Sequence, residues 1–260
     1  MLTVASPQRE GRFELKYLVD EPRARAIRAF IRQYLDKDAH TPPAQGGYWV
    51  YSLYLDHPSL RLCRQTIDGI KNRFKLRIRF YDDAPAPTGP VFLEVKRREN
   101  NAIYKDRAVV ARRTAVDVLR GVNPTPSQLL EQGQRNVRGL HEFCRNKERI
   151  GAVPAAFTIY QREAYVSPNG NDVRLTFDRN LQGVRFVPGV DMHMDGDARD
   201  VSNGNVIFEI KYTGHFPAWL CDLVKTFDLA RRSVPKYILC VNALALDGEP
   251  AHPEFATLTP

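Results

Sequence analysis

The sequence has few cysteines, no long apolar run and no glycine-rich phosphate loop, and each absence excludes a class of protein. No Cys-x-x-Cys pair occurs, which argues against a zinc ribbon or a disulfide scaffold and suits a reducing compartment. The most apolar-leaning stretch, Tyr237 to Leu246, is far shorter than the ~20 residues that span a bilayer. Neither G-x-x-x-x-G-K nor G-x-G-x-x-G occurs, so any bound phosphate must be held by side chains. The four cysteines are far apart in the chain: Cys63, Cys144, Cys221 and Cys240.

The N-terminal stretch Met1 to Glu10 lacks both a basic leader and an apolar signal core, so we expect a cytoplasmic location. Apolar residues make up 43% of the 260 residues and charged residues 26%, which is ample for a packed core. We expect a flexible N-terminus over residues 1–10, a single domain over residues 11–242 and a C-terminal tail over residues 243–260.

The charge is unbalanced: 38 lysines and arginines against 30 aspartates and glutamates give a formal net charge of +8. Such an excess favours an acidic partner, which could be nucleic acid, anionic lipid, a nucleotide or polyphosphate. Composition does not choose among these, but the placement of the charges is informative.

Cationic residues recur on one face of several predicted strands. In the first strand Glu14 and Lys16 alternate with Phe13, Leu15 and Tyr17, because successive side chains of a strand point to opposite faces. An ordinary sheet with one wet face would explain some charge. Like charges opposite one another across strands are destabilising, however, and a bound polyanion would offset that cost. The cations placed in this way are Lys75, Arg77, Arg79, Lys96, Lys105, Arg107, Arg162, Arg174 and Lys211.

The pattern of elements predicts an α+β fold. About eight to ten strands alternate with helices predicted over residues 21–37, 127–149 and 217–228. We expect a closed antiparallel β-barrel of about eight strands, with its charged face inward as a tunnel and its helices packed outside.

An ordered series of short motifs resembles the polyphosphate polymerase family, the catalytic domain of the vacuolar transporter chaperone (VTC) complex. That family belongs to the triphosphate tunnel metalloenzymes, which have a CYTH-like fold. The resemblance covers about residues 10–242. Its motifs are RFELKY (12–17), YSLYLD (51–56), KLRIRFYD (75–82), FLEVKRR (92–98), YQREAY (160–165), VRLTFD (173–178), FEIKY (208–212) and SVPKYIL (233–239).

The resemblance implies transfer of the terminal phosphoryl group of ATP to a growing polyphosphate chain, with a divalent metal, Mn²⁺ or Mg²⁺. It implies that Glu209 binds the metal, and we add Glu14 as a second candidate ligand. The partners expected are ATP or another triphosphate and polyphosphate, with no nucleic acid and no membrane span. The phosphate-binding and catalytic residues implied, with Lys211 added from its strand position, are Lys16, Arg77, Arg79, Lys96, Lys105, Arg162, Arg174, Lys211 and Lys236.

Two other functions remain open at this point. Tunnel relatives that hydrolyse triphosphates tend to carry E-x-E-x-K on the first strand, whereas this chain has one acid there, Glu14. A binding protein without turnover is the second alternative, because Ser233, Val234 and Pro235 stand where the family usually has a lysine and a serine.

Overall fold

The structure is a computed structural model, and it describes residues 12–41, 46–82, 86–100, 102–168, 172–189, 192, 194 and 196–246. The predicted flexible segment 1–10 and most of the predicted tail 243–260 lie outside these ranges. The elements in chain order are β1 (Arg12–Val19), α1 (Glu21–Ile31), β2 (Asp36–Lys37), β3 (Tyr48–Asp56), α2 (Arg61–Ile67), β4 (Arg73–Phe80), β5 (Pro90–Glu99), β6 (Ala102–Ala111), α3 (Arg112–Leu119), α4 (Gln134–Arg149), β7 (Val153–Val166), β8 (Val173–Arg185), β9 (Arg199–Asp200), β10 (Val206–Thr213), α5 (Ala218–Thr226) and α6 (Lys236–Ala243).

One antiparallel sheet organises the chain. Its strands run in the order β1-β10-β8-β7-β3-β4-β5-β6, and the short strands β2 and β9 are added on β7 and β8. Among the described strands, β1 and β6 form the two edges and do not pair with each other. The sheet is therefore a curled half-barrel, and the predicted closed barrel is wrong. Closure requires a ladder between the edge strands at a fitting tilt and register, which the alternation of charged and apolar residues does not specify.

Helices cover the convex face of the sheet, as predicted. On one half, Leu140 and Phe143 of α4 pack against apolar residues of β4 and β5. On the other half, Ile27 of α1 and Leu220 of α5 pack against Phe208 of β10 and its neighbours. These side chains are the alternate, apolar positions of the strands, so burial of the convex face leaves the charged positions on the concave face.

Gly139 explains how α4 reaches the sheet so closely. A Cβ atom at this position would lie 2.1 Å from the carbonyl oxygen of Arg107 in β6. The glycine lowers helix propensity, but it allows α4 to contact the strand that carries Lys105 and Arg107.

Helix α6 lies on the concave side of the sheet. The ring of Tyr237 stacks on Tyr54 of β3 at 4.5 Å between centroids, and Ile238 packs in the same cluster with Ala156 of β7. The hydroxyl of Tyr237 also donates to Asp56 at 3.0 Å. This apolar contact places Lys236, the first residue of α6, next to the charged face.

Candidate functional site: a cationic groove

The concave face of the curled sheet forms a groove lined by charged side chains. The strand register brings these positions side by side: Glu94 lies between Arg77 on one neighbouring strand and Arg107 on the other, and Lys16 lies opposite Glu209. We call this face the groove. Its charged residues are Glu14, Lys16, Lys75, Arg77, Arg79, Glu94, Lys96, Lys105, Arg107, Arg162, Arg174, Asp178, Glu209 and Lys211 from the strands, together with Lys236 from α6.

Glu94 organises one wall of the groove. Its side chain is buried, and Arg77 donates to Oε2 from both Nε and Nη2 at 2.7 Å. Arg107 donates to Oε1 from Nε at 2.8 Å and Nη2 at 2.7 Å, and Lys105 Nζ lies 2.6 Å from the same oxygen. Burial alone would raise the pKa of this carboxyl, but the surrounding cations hold it well below its ordinary value. The carboxylate thus fixes the direction of three cationic side chains.

In the part of the chain that the structure describes, two cations beside this cluster have no acidic partner. The guanidinium of Arg79, 7% exposed, bonds to two neutral hydroxyls, Ser52 Oγ and Tyr160 OH, both at 3.3 Å. Neither Arg79 nor Lys75 has a carboxylate of the described residues within ion-pair distance. Burial lowers the pKa of Lys75 to about 8. Charged groups are costly to bury without an ionic partner, so this wall is suited to receive an external anion.

Tyr54 lies between these cations. Arg77 Nη1 donates to its hydroxyl at 3.3 Å. Burial would raise the pKa of Tyr54, but the positive charges of Arg77, Lys75 and Arg79 outweigh it and lower the value to about 8. A phenol with this pKa reports a strongly positive local potential.

The opposite wall is built on two carboxylates. Arg162 donates from Nε and Nη2 to the two oxygens of Asp178, both at 2.7 Å. Lys236 Nζ lies 2.8 Å from both Asp178 Oδ2 and Glu209 Oε1, and Lys211 Nζ donates to Glu209 Oε2 at 2.8 Å. Each lysine or arginine here is already paired, in contrast to Arg79.

The two sides of the groove meet through side chains. Lys96 of β5 donates to Glu14 Oε2 of β1 at 2.9 Å, and Lys16 Nζ lies 3.1 Å from Glu14 Oε1. Because β5 lies next to the edge strand β6, this contact brings the two edges of the half-barrel near each other without a ladder between them.

Glu14 and Glu209 are the carboxylates that could hold a divalent metal. Both contact Lys16, at 3.1 and 3.7 Å, so they face the same point of the groove. Burial would raise both pKa values, but the neighbouring lysines hold them well below their ordinary values, so both groups are ionised. In the described part of the chain, no cluster of three or more His, Cys, Asp or Glu residues could bind a metal by itself. The pair fits a Mg²⁺-type ion that takes one or two carboxylates and completes its shell with water and substrate phosphates.

The structure places all of the residues predicted as the site in the groove. Arg174 pairs with Asp38 and reaches Tyr48 OH at 3.4 Å, so its charge is compensated, as are those of Arg162, Lys211 and Lys236. Asp178 was not predicted. The sequence did contain the information needed to find it, because the two-residue period of a strand puts Asp178 on the same face of β8 as Arg174.

A curled antiparallel sheet with convergent arginines and lysines on its concave face defines the class: an α+β protein with a groove suited to polyanions. The chain belongs to the VTC domain family, whose model matches residues 11–245. This match confirms the resemblance drawn from the sequence motifs. No curated protein matches the chain.

Three solved structures share a distant likeness with this chain. A Bacillus halodurans protein provisionally described as an adenylate cyclase is 13% identical, with 86% of this chain and 94% of that chain covered and a TM-score of 0.47. The PH1819 protein of Pyrococcus horikoshii OT3 is 13% identical, with coverages of 91% and 100% and a TM-score of 0.37. The Mimivirus capping enzyme triphosphatase is 9% identical, with coverages of 86% and 90% and a TM-score of 0.34.

None of the helices within the described ranges is long and apolar enough to cross a membrane.

Proposed function

We propose that the groove binds ATP and a polyphosphate chain and that the protein transfers the terminal phosphoryl group of ATP to that chain. Membership of the VTC domain family supports a reaction on triphosphates or polyphosphate. The observation that carries the proposal is Arg79, a buried guanidinium bonded only to neutral hydroxyls within the described residues. A phosphate group would supply the charge-assisted partner that this side chain lacks.

The triphosphate is bound at the wall that contains Arg79. Arg77 and Arg79 lie on the same face of β4, and Glu94 fixes Arg77 with two hydrogen bonds. Planar guanidinium groups suit the paired oxygens of phosphate, whereas lysines act as point charges. In this proposal Lys75 and Lys96 complete the charge around the triphosphate.

The opposite wall takes the remaining roles. Asp178 holds Arg162 through its Nε and Nη2 atoms, and the N–H groups of Arg162 outside these two bonds would donate to phosphate oxygens. Lys236, which the family resemblance implies as a phosphate-binding or catalytic residue, is bonded to Asp178 and Glu209 and so takes a positioning role here. Lys16 and Lys105, at the two edges of the sheet, would contact the acceptor chain.

The chemistry requires position and charge more than proton transfer. An oxygen of the terminal phosphate of the acceptor chain forms a bond to the γ-phosphorus of ATP, and the bond from that phosphorus to the β–γ bridging oxygen breaks, which leaves ADP. The acceptor oxygen is already ionised, so no general base is needed. Fixed cations stabilise the charge that spreads over the transferred group. A divalent metal held by Glu14 and Glu209 would neutralise part of the phosphate charge.

Product analysis tests the proposal. The protein is incubated with ATP labelled at the γ-phosphate and with Mn²⁺ or Mg²⁺, and the products are separated by gel electrophoresis. We expect long labelled polyphosphate. Labelled orthophosphate alone would instead identify a triphosphatase, and binding without any product would identify a sensor. Arg79→Ala should abolish polymer formation, whereas Arg61→Ala, an exposed arginine of α2 outside the groove, should not change it.

A further inference from the structure

A second cationic recess lies on the convex side of the sheet, behind the groove. Arg162 of β7 points into the groove, so its neighbours Gln161 and Glu163 point to the opposite face. There they line a recess of about 240 Å³ with residues from α1 and its C-terminal end, from β2, from the segment before β3 and from β8. The lining residues are Arg28, Arg32, Lys37, Gly46, Gln161, Glu163 and Arg179.

Two arginines of the recess are held in place by carboxylates. The side chain of Glu163 is 4% exposed; it lies 2.9 Å from Arg28 Nε and 3.1 Å from Arg179 Nη1, and it accepts from Tyr165 OH at 2.6 Å. Glu21 accepts from Arg179 Nε at 2.8 Å and Nη2 at 3.2 Å. Guanidinium groups fixed in this way keep a defined orientation.

The other two cations leave the recess with excess positive charge. Arg32 and Lys37 are exposed, and the residues described by the structure offer neither of them a carboxylate within ion-pair distance. The carboxylates at the recess are Glu21 and Glu163, and both are engaged by Arg28 and Arg179. The surplus charge therefore comes from Arg32 and Lys37, and it favours an anion with more than one charge.

The lining also indicates which anion fits. Among the residues that the structure describes, the lining has no aromatic ring and no aliphatic side chain, so it lacks the apolar surface that usually encloses a nucleotide base, and its charges suit phosphate oxygens. We propose that this recess is a second binding site, separate from the groove, for short inorganic condensed phosphate. The site does not depend on the reaction proposed for the groove, because its residues lie on the other face of β7.

Calorimetric titration with tripolyphosphate tests this site. We expect the wild-type protein to bind two molecules. The double variant Arg32→Ser/Lys37→Ser should bind one, with the second interaction weakened at least about tenfold by loss of two charge-assisted contacts. Both residues are exposed, and circular dichroism checks that the variant folds. Arg23→Ser, at an exposed arginine of α1 outside the recess, is the matched control and should still bind two.

Three results would overturn the proposal. If the wild-type protein binds a single tripolyphosphate and the double variant still binds it, the recess is not a binding site. If the double variant still binds two, the second site lies elsewhere. Titration with orthophosphate tests whether the recess requires a condensed phosphate. Orthophosphate should bind the recess at least about tenfold more weakly than tripolyphosphate, because it carries fewer charges. Equal affinity for orthophosphate would make the recess a single-phosphate site and would refute the proposal.

Discussion

Removing the charge of Glu94 should destabilise the free protein and strengthen its binding of polyanions. Glu94→Gln keeps the size of the side chain but leaves Arg77, Lys105 and Arg107 without the carboxylate that they share. Breaking a buried ionic cluster costs about 3–5 kcal/mol. At roughly 2–4 °C per kcal/mol for a chain of this size, even ~3 kcal/mol lowers Tm by roughly 6–12 °C.

Bound tripolyphosphate should reverse this effect. Its oxygens can replace the lost negative charge, so the ligand should raise the Tm of Glu94→Gln more than that of the wild-type protein. For comparison, a ligand at 100 times its Kd adds about 2.7 kcal/mol to the free energy of unfolding. Differential scanning fluorimetry with and without tripolyphosphate measures both shifts.

Glu99→Gln is the matched control for this experiment. Glu99 lies at the exposed end of the same strand, so its substitution should change the free energy of unfolding by no more than about 0.5 kcal/mol. An unchanged Tm for Glu94→Gln, or a smaller ligand-induced shift than in the wild-type protein, would refute the role given to Glu94.

Three further predictions follow from the same contacts. Arg79→Ala should weaken tripolyphosphate binding roughly 10–100-fold in calorimetry, because hydrogen bonds to charged groups contribute about 1.5–3 kcal/mol. It should lower Tm less than Glu94→Gln does, because this buried cation has no carboxylate partner among the described residues and bonds only to neutral hydroxyls there; unchanged affinity would contradict its role. Burial lowers the pKa of Lys105 to about 7, so the ammonium group of the free protein loses its proton as the pH rises through 7. Binding of an anion should return the proton to Lys105, and calorimetry at pH 8 in buffers of different ionisation enthalpy should detect this proton uptake. An equal uptake in Lys105→Ala would assign it to another group. Gly139→Ala should cost about 1–3 kcal/mol by overpacking α4 against Arg107, seen as a lower urea midpoint. An unchanged midpoint would contradict the close contact between α4 and β6.

The sequence was sufficient to predict which side chains share the groove. In β4 the alternation of Lys75, Arg77 and Arg79 with Leu76 and Ile78 fixes two faces, because the period of a strand is two residues. The apolar face had to be covered by helices, and α1, α4 and α5 cover it. The two-residue period of the strands was therefore enough to place most of the candidate site residues on one face of the sheet.

The properties that depend on distant parts of the chain were not predictable in this way. The edge strands β1 and β6 belong to opposite ends of the sheet order, and whether they pair depends on the accumulated twist of all the strands between them. The stretch from Tyr237 to Val241 is entirely apolar, so it has no periodicity that separates a strand from a helix buried on all sides. The structure shows it to be part of α6.

The second recess could not be seen in the sequence for a related reason. Arg28 belongs to α1 and Arg32 directly follows it, whereas Arg179 belongs to β8, and only the packing of α1 on the sheet brings them together. Helical spacing predicted the buried face of α1 but gave no information on what its arginines would contact.

A crystal structure of the protein soaked with a non-hydrolysable ATP analogue and Mn²⁺ tests the central claim most directly. The account predicts triphosphate oxygens in hydrogen-bond contact with Arg77 and Arg79 on the concave face. A triphosphate bound elsewhere, with Arg79 still bonded to Ser52 and Tyr160 alone, would contradict it.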